Sequence, residues 1–546
     1  MSKFNGGTRR DVDGDEGSND ELILSILCGQ LPVVFALSVD FVVSTVLVED
    51  VLSSLSLRIA DVLLEPAGVV GADCSSPSCN LSPSAVERKG GSNSLQNWSI
   101  SVKNNICTVD MPTSCSSNML SQYVSPFEAT AVKLLRQSGA SIVAKTNCDE
   151  FGMGSFNLFS IHGPVINPAS HIGQERVAGG SSGGAAAGVA CGASRIALAS
   201  DTGGSIRTPA AYCGVYGLKP SYGLISRWGL VAYADSLDTV GLIGSQIEDI
   251  ETCFKIVSEY DIKDPTSISS SLRHGAEKEA NRLLEGFSVD KGPLFGLRVG
   301  VPQECFPVEL HKDMLSPLRN CLTQLKRMGA EIVKVSLPSI PFALSAYYVL
   351  ASAEASSNLA KYDGIRYGHR AEIEPQKPSK KSGKPSSIKH STSLFLEHIA
   401  KTRSEAFGQE VQKRILLGTY CLTSDLFNNY FLQAQRVRSL IRQDFNRVFR
   451  IANVFNRSQE EVDSDGVDVL VTPSTVDIAP TLQEAINMGI EAYTQDLFTV
   501  PASLAGLPAL SIPAGQVRNM PVGVTLTGQW GCEEIVFKVA STLSTA

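Results

Sequence analysis

AGGSSGGAAAGVACGASRIALASDTGGSIRTPAAYCGVYGLKPSYG, residues 178–223, is the most unusual stretch of the chain and the one its reading turns on. It carries two Gly/Ser-rich loops, GGSSGG (179–184) and DTGGSIR (201–207), joined by an Ala-rich segment of helical type. A helix so poor in large side chains lets backbones approach closely. Glycines ahead of each serine let main-chain N–H groups converge on a small anion, as in an oxyanion hole, where one donor contributes about 3–4 kcal/mol to the transition state. Flexible linkers would not embed Asp-Thr-Gly-Gly-Ser-Ile-Arg beside a buried helix.

Outward from this stretch, short apolar runs alternate with helical ones. Residues 141–147, 297–302, 331–337, 467–473 and 509–514 read as buried strands, and WSISVK (98–103) as a short alternating strand. Residues 128–140, stopped by Gly139, and 313–330 read as helices. This alternation predicts an α/β fold with a helix-covered sheet. At 546 residues the chain holds either several domains or one large one. With 43% apolar and 19% charged residues, most of it is globular rather than disordered.

A net charge of −8 argues against a protein that wraps nucleic acid with its own surface. Thirteen cysteines, an odd number with no C-x-x-C pair, argue against a disulfide framework, a structural zinc site or a thioredoxin-like motif. A reducing compartment and no metal ligands are expected. Residues 1–21 are acid-rich, unlike a transit peptide. Residues 22–48 carry one ionisable group and exceed the roughly 20 apolar residues that span a bilayer. Pro32 interrupts the run, however, and Asp40 near a membrane centre would cost about 2.5–3.5 kcal/mol. Membrane association is therefore not expected. Residues 72–96 read as a Ser/Pro/Gly linker, and 374–393 as a Lys/Pro/Ser-rich, solvated surface insertion.

Three chemistries compete for the Gly/Ser loops. Phosphate cradling wants G-x-x-x-x-G-K-[ST], which is absent. A hydrolase elbow is formally present at Gly179–Gly183, but the polar HIGQERVA precedes it where a buried strand is required. The third is serine chemistry driven by a lysine whose pKa burial lowers. Lys103, ending WSISVK among uncharged residues, is the candidate; by itself, a lysine at a strand end is usually a surface residue.

GGSSGG and DTGGSIRTPAAYCGVYGLKPSYG, with Ser181 and Ser205 24 residues apart and V-K-x-N upstream, resemble the amidase signature family. The resemblance implies a single large domain over 97–546 with a central mixed β-sheet covered by helices; residues 1–96, outside it, are expected to form a divergent, partly disordered extension and linker. It implies Ser205 as the acylated nucleophile, Ser181 as a bridging serine beside a cis peptide bond, and Lys103 as the base. Backbone N–H groups of Thr202, Gly203, Gly204 and Ser205 would form the oxyanion hole, with Ser182 in support. The chain departs from the family in four places: Asn104 replaces the usual Asp after the lysine, only Trp98–Val102 survives of the usual run before it, Ala185 replaces a common serine without harm, and residues 1–96, most seriously, lack the family's amphipathic N-terminal helices.

YYVLASAEASSNLAKYDGIRYG (347–368), FGQEVQKRILLGTYCL (407–422) and YTQDLFTVPASLAGLPALSIP (493–513) resemble the branch formed by A subunits of glutamyl-tRNA(Gln) amidotransferases. There, glutamine is held by its α-amino and α-carboxylate groups, which implies Tyr347, Arg414 and Asp496 here. It further implies ammonia delivery to a B subunit that uses ATP and Mg²⁺, a small third subunit, no cofactor on this chain, and contact with Glu-tRNA(Gln) mainly through partners. For the 374–393 insertion, contact with tRNA phosphates is the weaker alternative. The SCSSNML element (114–120) resembles mitochondrial members and points to the mitochondrial matrix. The competing readings are a stand-alone, membrane-anchored amide hydrolase resembling fatty acid amide hydrolases, and a non-catalytic scaffold. The first needs an apolar acyl channel in place of Arg414 and Asp496, and the second sits poorly with three retained catalytic positions. Cys107, Cys148, Cys191 and Cys213, inside family motifs, are expected to be small buried residues.

Overall fold

Ten strands, β1 (Ser99–Lys103), β2 (Ser141–Thr146), β3 (Ile196–Asp201), β4 (Tyr216–Lys219), β5 (Thr239–Gly244), β6 (Arg298–Pro302), β7 (Glu331–Val335), β8 (Val469–Pro473), β9 (Ala509–Val517) and β10 (Met520–Gly528), form one sheet. Its order is β2-β1-β3-β5-β4-β9-β10-β8-β6-β7. This computed structural model describes residues 94–545, apart from residue 172 and segments 287–291, 373–386 and 456–464. The apolar run 22–48, nearly all of the 72–96 linker and most of the 374–393 insertion lie outside the described residues. Among the described residues no helix is long and apolar enough to cross a membrane.

The sheet is mixed. β1 runs parallel to β2 and β3, β6 runs parallel to β7 and β8, and the middle of the sheet is antiparallel. Helices cover it, as the alternation of apolar runs predicts, and every strand expected from the sequence is present, although β2 and β7, at the two edges of the sheet, are partly exposed rather than buried. β3, β4, β5 and β10 were not among those expected. β3 and β5 are buried along their whole length, so IALASD and TVGLIG show no period of two. β10 is interrupted in sequence by Pro521 and Gly523. The Ala-rich link between the two loops is accordingly a helix followed by a strand.

That helix, α1 (Gly183–Ala190), lies on the sheet among small residues: Ala185, Ala186, Ala197, Ala199 and Ala210 are fully buried together. A Cβ on Gly184 would stand 2.5 Å from the carbonyl oxygen of Asn147, so only glycine allows this approach. The second loop leads into α2 (Arg207–Cys213), all of whose residues are buried.

Away from the loops, α3 (Ala343–Asn358) and α4 (Gln409–Cys421) pack together. α3 buries side chains on all sides, as expected of a helix enclosed by protein. The two helices meet at Gly418, where an added Cβ would lie 1.9 Å from the carbonyl oxygen of Ser352. The ten described cysteines are all free; Cys107, Cys148 and Cys213 are buried as expected. Cys191 is exposed instead, because it caps the surface end of α1 rather than joining its packed face.

The Gly418–Ser352 contact has a measurable consequence. Since the obstructing atom is backbone, Gly418→Ala forces the helices apart and should destabilise the protein by about 1–3 kcal/mol. Gly188→Ala, whose Cβ meets nothing within 4 Å, should leave stability unchanged or slightly raised. Urea unfolding of both variants checks this contrast.

Candidate active site

Lys103 ends β1 in the interior of the sheet and has no exposed surface. Its Nζ donates to Ser181 Oγ at 2.7 Å, Ser182 Oγ at 2.9 Å and the Ser200 carbonyl at 3.2 Å. Burial lowers its pKa, because a desolvated ammonium loses its hydration; Cys148, Asp149, Asp201 and Asp238 pull more weakly in the other direction. The lysine that looked superficial in isolation is thus enclosed. Asn104 beside it donates to Ser114 Oγ at 2.7 Å and accepts from Ser114 N–H at 3.1 Å. That reciprocal pair uses both ends of an amide. A carboxylate at this position would offer no N–H.

The first Gly/Ser loop presents Ser181 to the lysine. The Gly180–Ser181 peptide bond is cis, and a Cβ on Gly180 would fall 2.2 Å from Asp149 Oδ2. Gly180 N–H donates to the Ser155 carbonyl at 2.8 Å, and Asp149 N–H to the Ser181 carbonyl at 3.2 Å. Asp149 itself is fully buried and accepts the N–H groups of Asn157 and Phe159. Burial raises its pKa to about 7. Ser182 donates its Oγ to the Ser200 carbonyl at 3.1 Å and its N–H to the Ser205 carbonyl at 3.1 Å, tying the two serine loops together.

The second loop is braced from within. Asp201 and Arg207, both without exposed surface, form a two-point pair at 2.8 and 3.1 Å. Asp201 also accepts Ile206 N–H at 3.0 Å, and Arg207 reaches the Thr499 carbonyl at 2.6 Å and Ser503 Oγ at 2.8 Å. Burial alone would raise the Asp201 pKa; the Arg207 guanidinium, together with Lys219 and the Ile206 N–H, more than offsets this and holds it low. Thr202 Oγ1 donates to Asp238 at 2.8 Å. A Cβ on Gly203 would collide with the Tyr347 ring at 2.5 Å, and one on Gly204 with Thr499 Oγ1 at 2.3 Å. Ser205 sits on this loop with 8% of its surface open.

Tyr347 on α3, Arg414 on α4 and Asp496 converge beside that loop although they are far apart in sequence. All three are at most 6% exposed. Arg414 is oriented by Glu410, one helical turn earlier at 2.8 Å, and by the Tyr233 hydroxyl at 2.6 Å. Asp496 accepts the Tyr348 hydroxyl at 2.7 Å and the Ser155 hydroxyl at 3.0 Å. The Tyr348 ring lies 5.2 Å from the Arg414 guanidinium. Such an arrangement offers a planar cationic fork and a carboxylate a short distance from a serine loop, which suits an α-amino acid.

Asp149, Asp201, Arg207, Tyr233, Tyr348, Glu410 and Ser155 were not singled out from the sequence. Arg207 could have been found: a lone cation within GGSIRTPAAYCGVYGL must be paired if that segment is buried, and Asp201 lies six residues before it.

The Amidase family profile matches residues 84–537. Over 499 residues the chain is 50% identical to the A subunit of the mitochondrial glutamyl-tRNA(Gln) amidotransferase of Mycosarcoma maydis, with 88% of each chain covered. It is 45% identical over 473 residues to the corresponding mitochondrial protein of Coccidioides posadasii, covering 84% of this chain and 90% of the relative. The crystal structure of the glutamyl-tRNA(Gln) amidotransferase A subunit from Thermotoga maritima superposes with a TM-score of 0.64 at 34% identity, covering 85% of this chain and 86% of that one.

Breaking the Asp201–Arg207 pair strands a buried charge. Arg207→Met should cost about 3–5 kcal/mol in equilibrium unfolding. Arg207→Lys should recover little of this, because an ammonium cannot reproduce the two-point contact.

Proposed function

The chain belongs to the amidase family, and on that premise we propose that it is the glutamine-hydrolysing A subunit of a glutamyl-tRNA(Gln) amidotransferase. The observation that carries the reading is the dry contact of Lys103 with Ser181 at 2.7 Å, next to the loop that bears Ser205. With the lysine neutral, one of its three donor positions becomes a lone pair and Ser181 Oγ–H donates to it. Ser181 then takes the proton of Ser205 Oγ, and that oxygen attacks the side-chain amide carbon of glutamine. The carbonyl oxygen gathers negative charge as the tetrahedral intermediate forms, and the backbone N–H groups of Thr202, Gly203, Gly204 and Ser205 receive it.

Collapse of the intermediate breaks the C–N bond. The proton returns through Ser181 to the leaving nitrogen and ammonia departs, leaving a glutamyl ester on Ser205. Water, deprotonated by the same relay, releases glutamate. Ser182 supports the sequence by holding the Lys103 amine and the Ser205 carbonyl. Arg414 takes the α-carboxylate and Asp496 the α-ammonium, with Tyr347 closing the space beside Gly203. A long apolar acyl group would meet this buried cation and carboxylate, which disfavours the stand-alone hydrolase reading.

In this reading ammonia passes to a partner B subunit, where ATP and Mg²⁺ activate Glu-tRNA(Gln), and a small third subunit completes the assembly. The chain itself holds no cofactor, and tRNA contact falls mainly to the partners. The fungal relatives are named as mitochondrial, and we assign this chain to the mitochondrial matrix.

With the partner subunits present, Ser205→Ala should reduce ammonia release from glutamine by at least about a thousandfold; retained glutaminase activity overturns the assignment. The pH profile provides a second check. Only the neutral amine accepts the proton, so kcat/KM should rise with pH through the lowered Lys103 pKa, below the 10.5 of an exposed lysine. Lys103→Ala should abolish both that limb and the activity.

A further inference from the structure

Around the serine loops and the Arg414 guanidinium, buried carboxylates are satisfied in three ways. Asp201 and Glu410 each have a guanidinium at 2.8 Å. Asp149 accepts two backbone N–H groups, and Asp238 accepts two together with the Thr202 hydroxyl. Asp496 differs from both groups, since its carboxylate partners are the hydroxyls of Tyr348 and Ser155. Both donate to the same oxygen, Oδ2, and among the described residues no hydrogen bond reaches Oδ1. The nearby cation is held apart by chemistry already described: Arg414 is engaged by Glu410 and Tyr233 and faces the Tyr348 ring.

We propose that Ser155 and Tyr348 are the positioning residues that select an α-ammonium substrate, by holding Oδ2 of Asp496 so that Oδ1 meets the ammonium. The inference rests on the reading of Asp496 as the α-ammonium partner. Two neutral hydroxyls orient a carboxylate without neutralising it, whereas a guanidinium in their place would compete with the incoming ammonium. They also lessen the cost of its burial, which pushes the Asp496 pKa up. Each hydroxyl has a second attachment that fixes it. The Ser155 carbonyl accepts Gly180 N–H at 2.8 Å, next to the cis bond, so the residue also touches the loop of Ser181. The Tyr348 ring lies against both Tyr347 and Tyr493, with centroids 5.0 and 4.6 Å away. Behind Asp496, its own carbonyl accepts the N–H and hydroxyl of Thr499, the residue that fills the space at Gly204. The carboxylate is therefore indexed to the nucleophile loop on one side and to the cis-serine loop on the other.

The test compares glutamine with glutaramate, the same amide and carboxylate without the α-amino group, using the complex reconstituted with its partner subunits. Ser155→Ala and Tyr348→Phe keep the backbone and ring contacts and remove only the hydroxyls. Each should lower the glutamine-to-glutaramate ratio of kcat/KM by about tenfold, as befits loss of a hydrogen bond to a charged group, with the fall carried by the KM for glutamine. If either variant depresses both substrates equally, or leaves the ratio at the wild-type value, the proposal is overturned for that residue. Asp496→Asn separates the two levels of the argument. A ratio that falls in Asp496→Asn but not in the hydroxyl variants sinks the positioning role alone. A ratio unchanged in Asp496→Asn sinks the ammonium assignment itself.

Discussion

Burial of Lys103 at the end of β1 strips water from its amine and leaves two serine hydroxyls and one carbonyl in its place. A lysine kept this dry loses the hydration that normally makes it a cation, which is why its pKa falls. The rest of the site can be understood as what is needed to hold that amine against Ser181. The parallel pairing of β1 with β2 and β3 sets its position, and Asp149, packed into the space that Gly180 leaves, sets the loop it meets.

Around the amine, the fold spends its buried charges in two different ways. Asp201 and Arg207 neutralise each other and brace the five residues between them. Asp149 and Asp238 instead collect backbone N–H groups, and burial moves their pKa values up to about 7 and about 6. These carboxylates organise loops through N–H and hydroxyl donors, without a guanidinium bonded to them. Small residues complete the arrangement: Gly180, Gly203 and Gly204 each stand where a Cβ would strike Asp149, Tyr347 or Thr499.

The proposed substrate grip obeys a different constraint. Arg414 and Tyr347 come from two helices whose separation is set by Gly418 against the Ser352 carbonyl, and Asp496 comes from a turn anchored by Thr499. Glu410 and Tyr233 aim the guanidinium, while Ser155 and Tyr348 aim the carboxylate. The proposed recognition and catalytic residues thus share a wall. Gly203 and Tyr347 touch across the same boundary that separates the serine loop from the grip.

Much of this was legible in the sequence. The spacing of GGSSGG and DTGGSIR, the apolar runs and the position of Lys103 carry local information, since loop glycines and strand periodicity depend on neighbouring residues. β3 and β5 escaped that reading because strands buried on both faces lose their alternation. The partners of the site escaped it for a different reason. Asn104 finds Ser114, Asp496 finds Ser155 and Tyr348, and Arg207 finds Thr499 and Ser503, all through contacts that chain folding creates. By itself the sequence determined which residue types could do the chemistry and where the backbone could turn. Only the tertiary structure decided that Lys103 lies dry against two serines and that Asp496 takes both its hydroxyl partners on one oxygen, because desolvation and pairing depend on the atoms that surround a group in space.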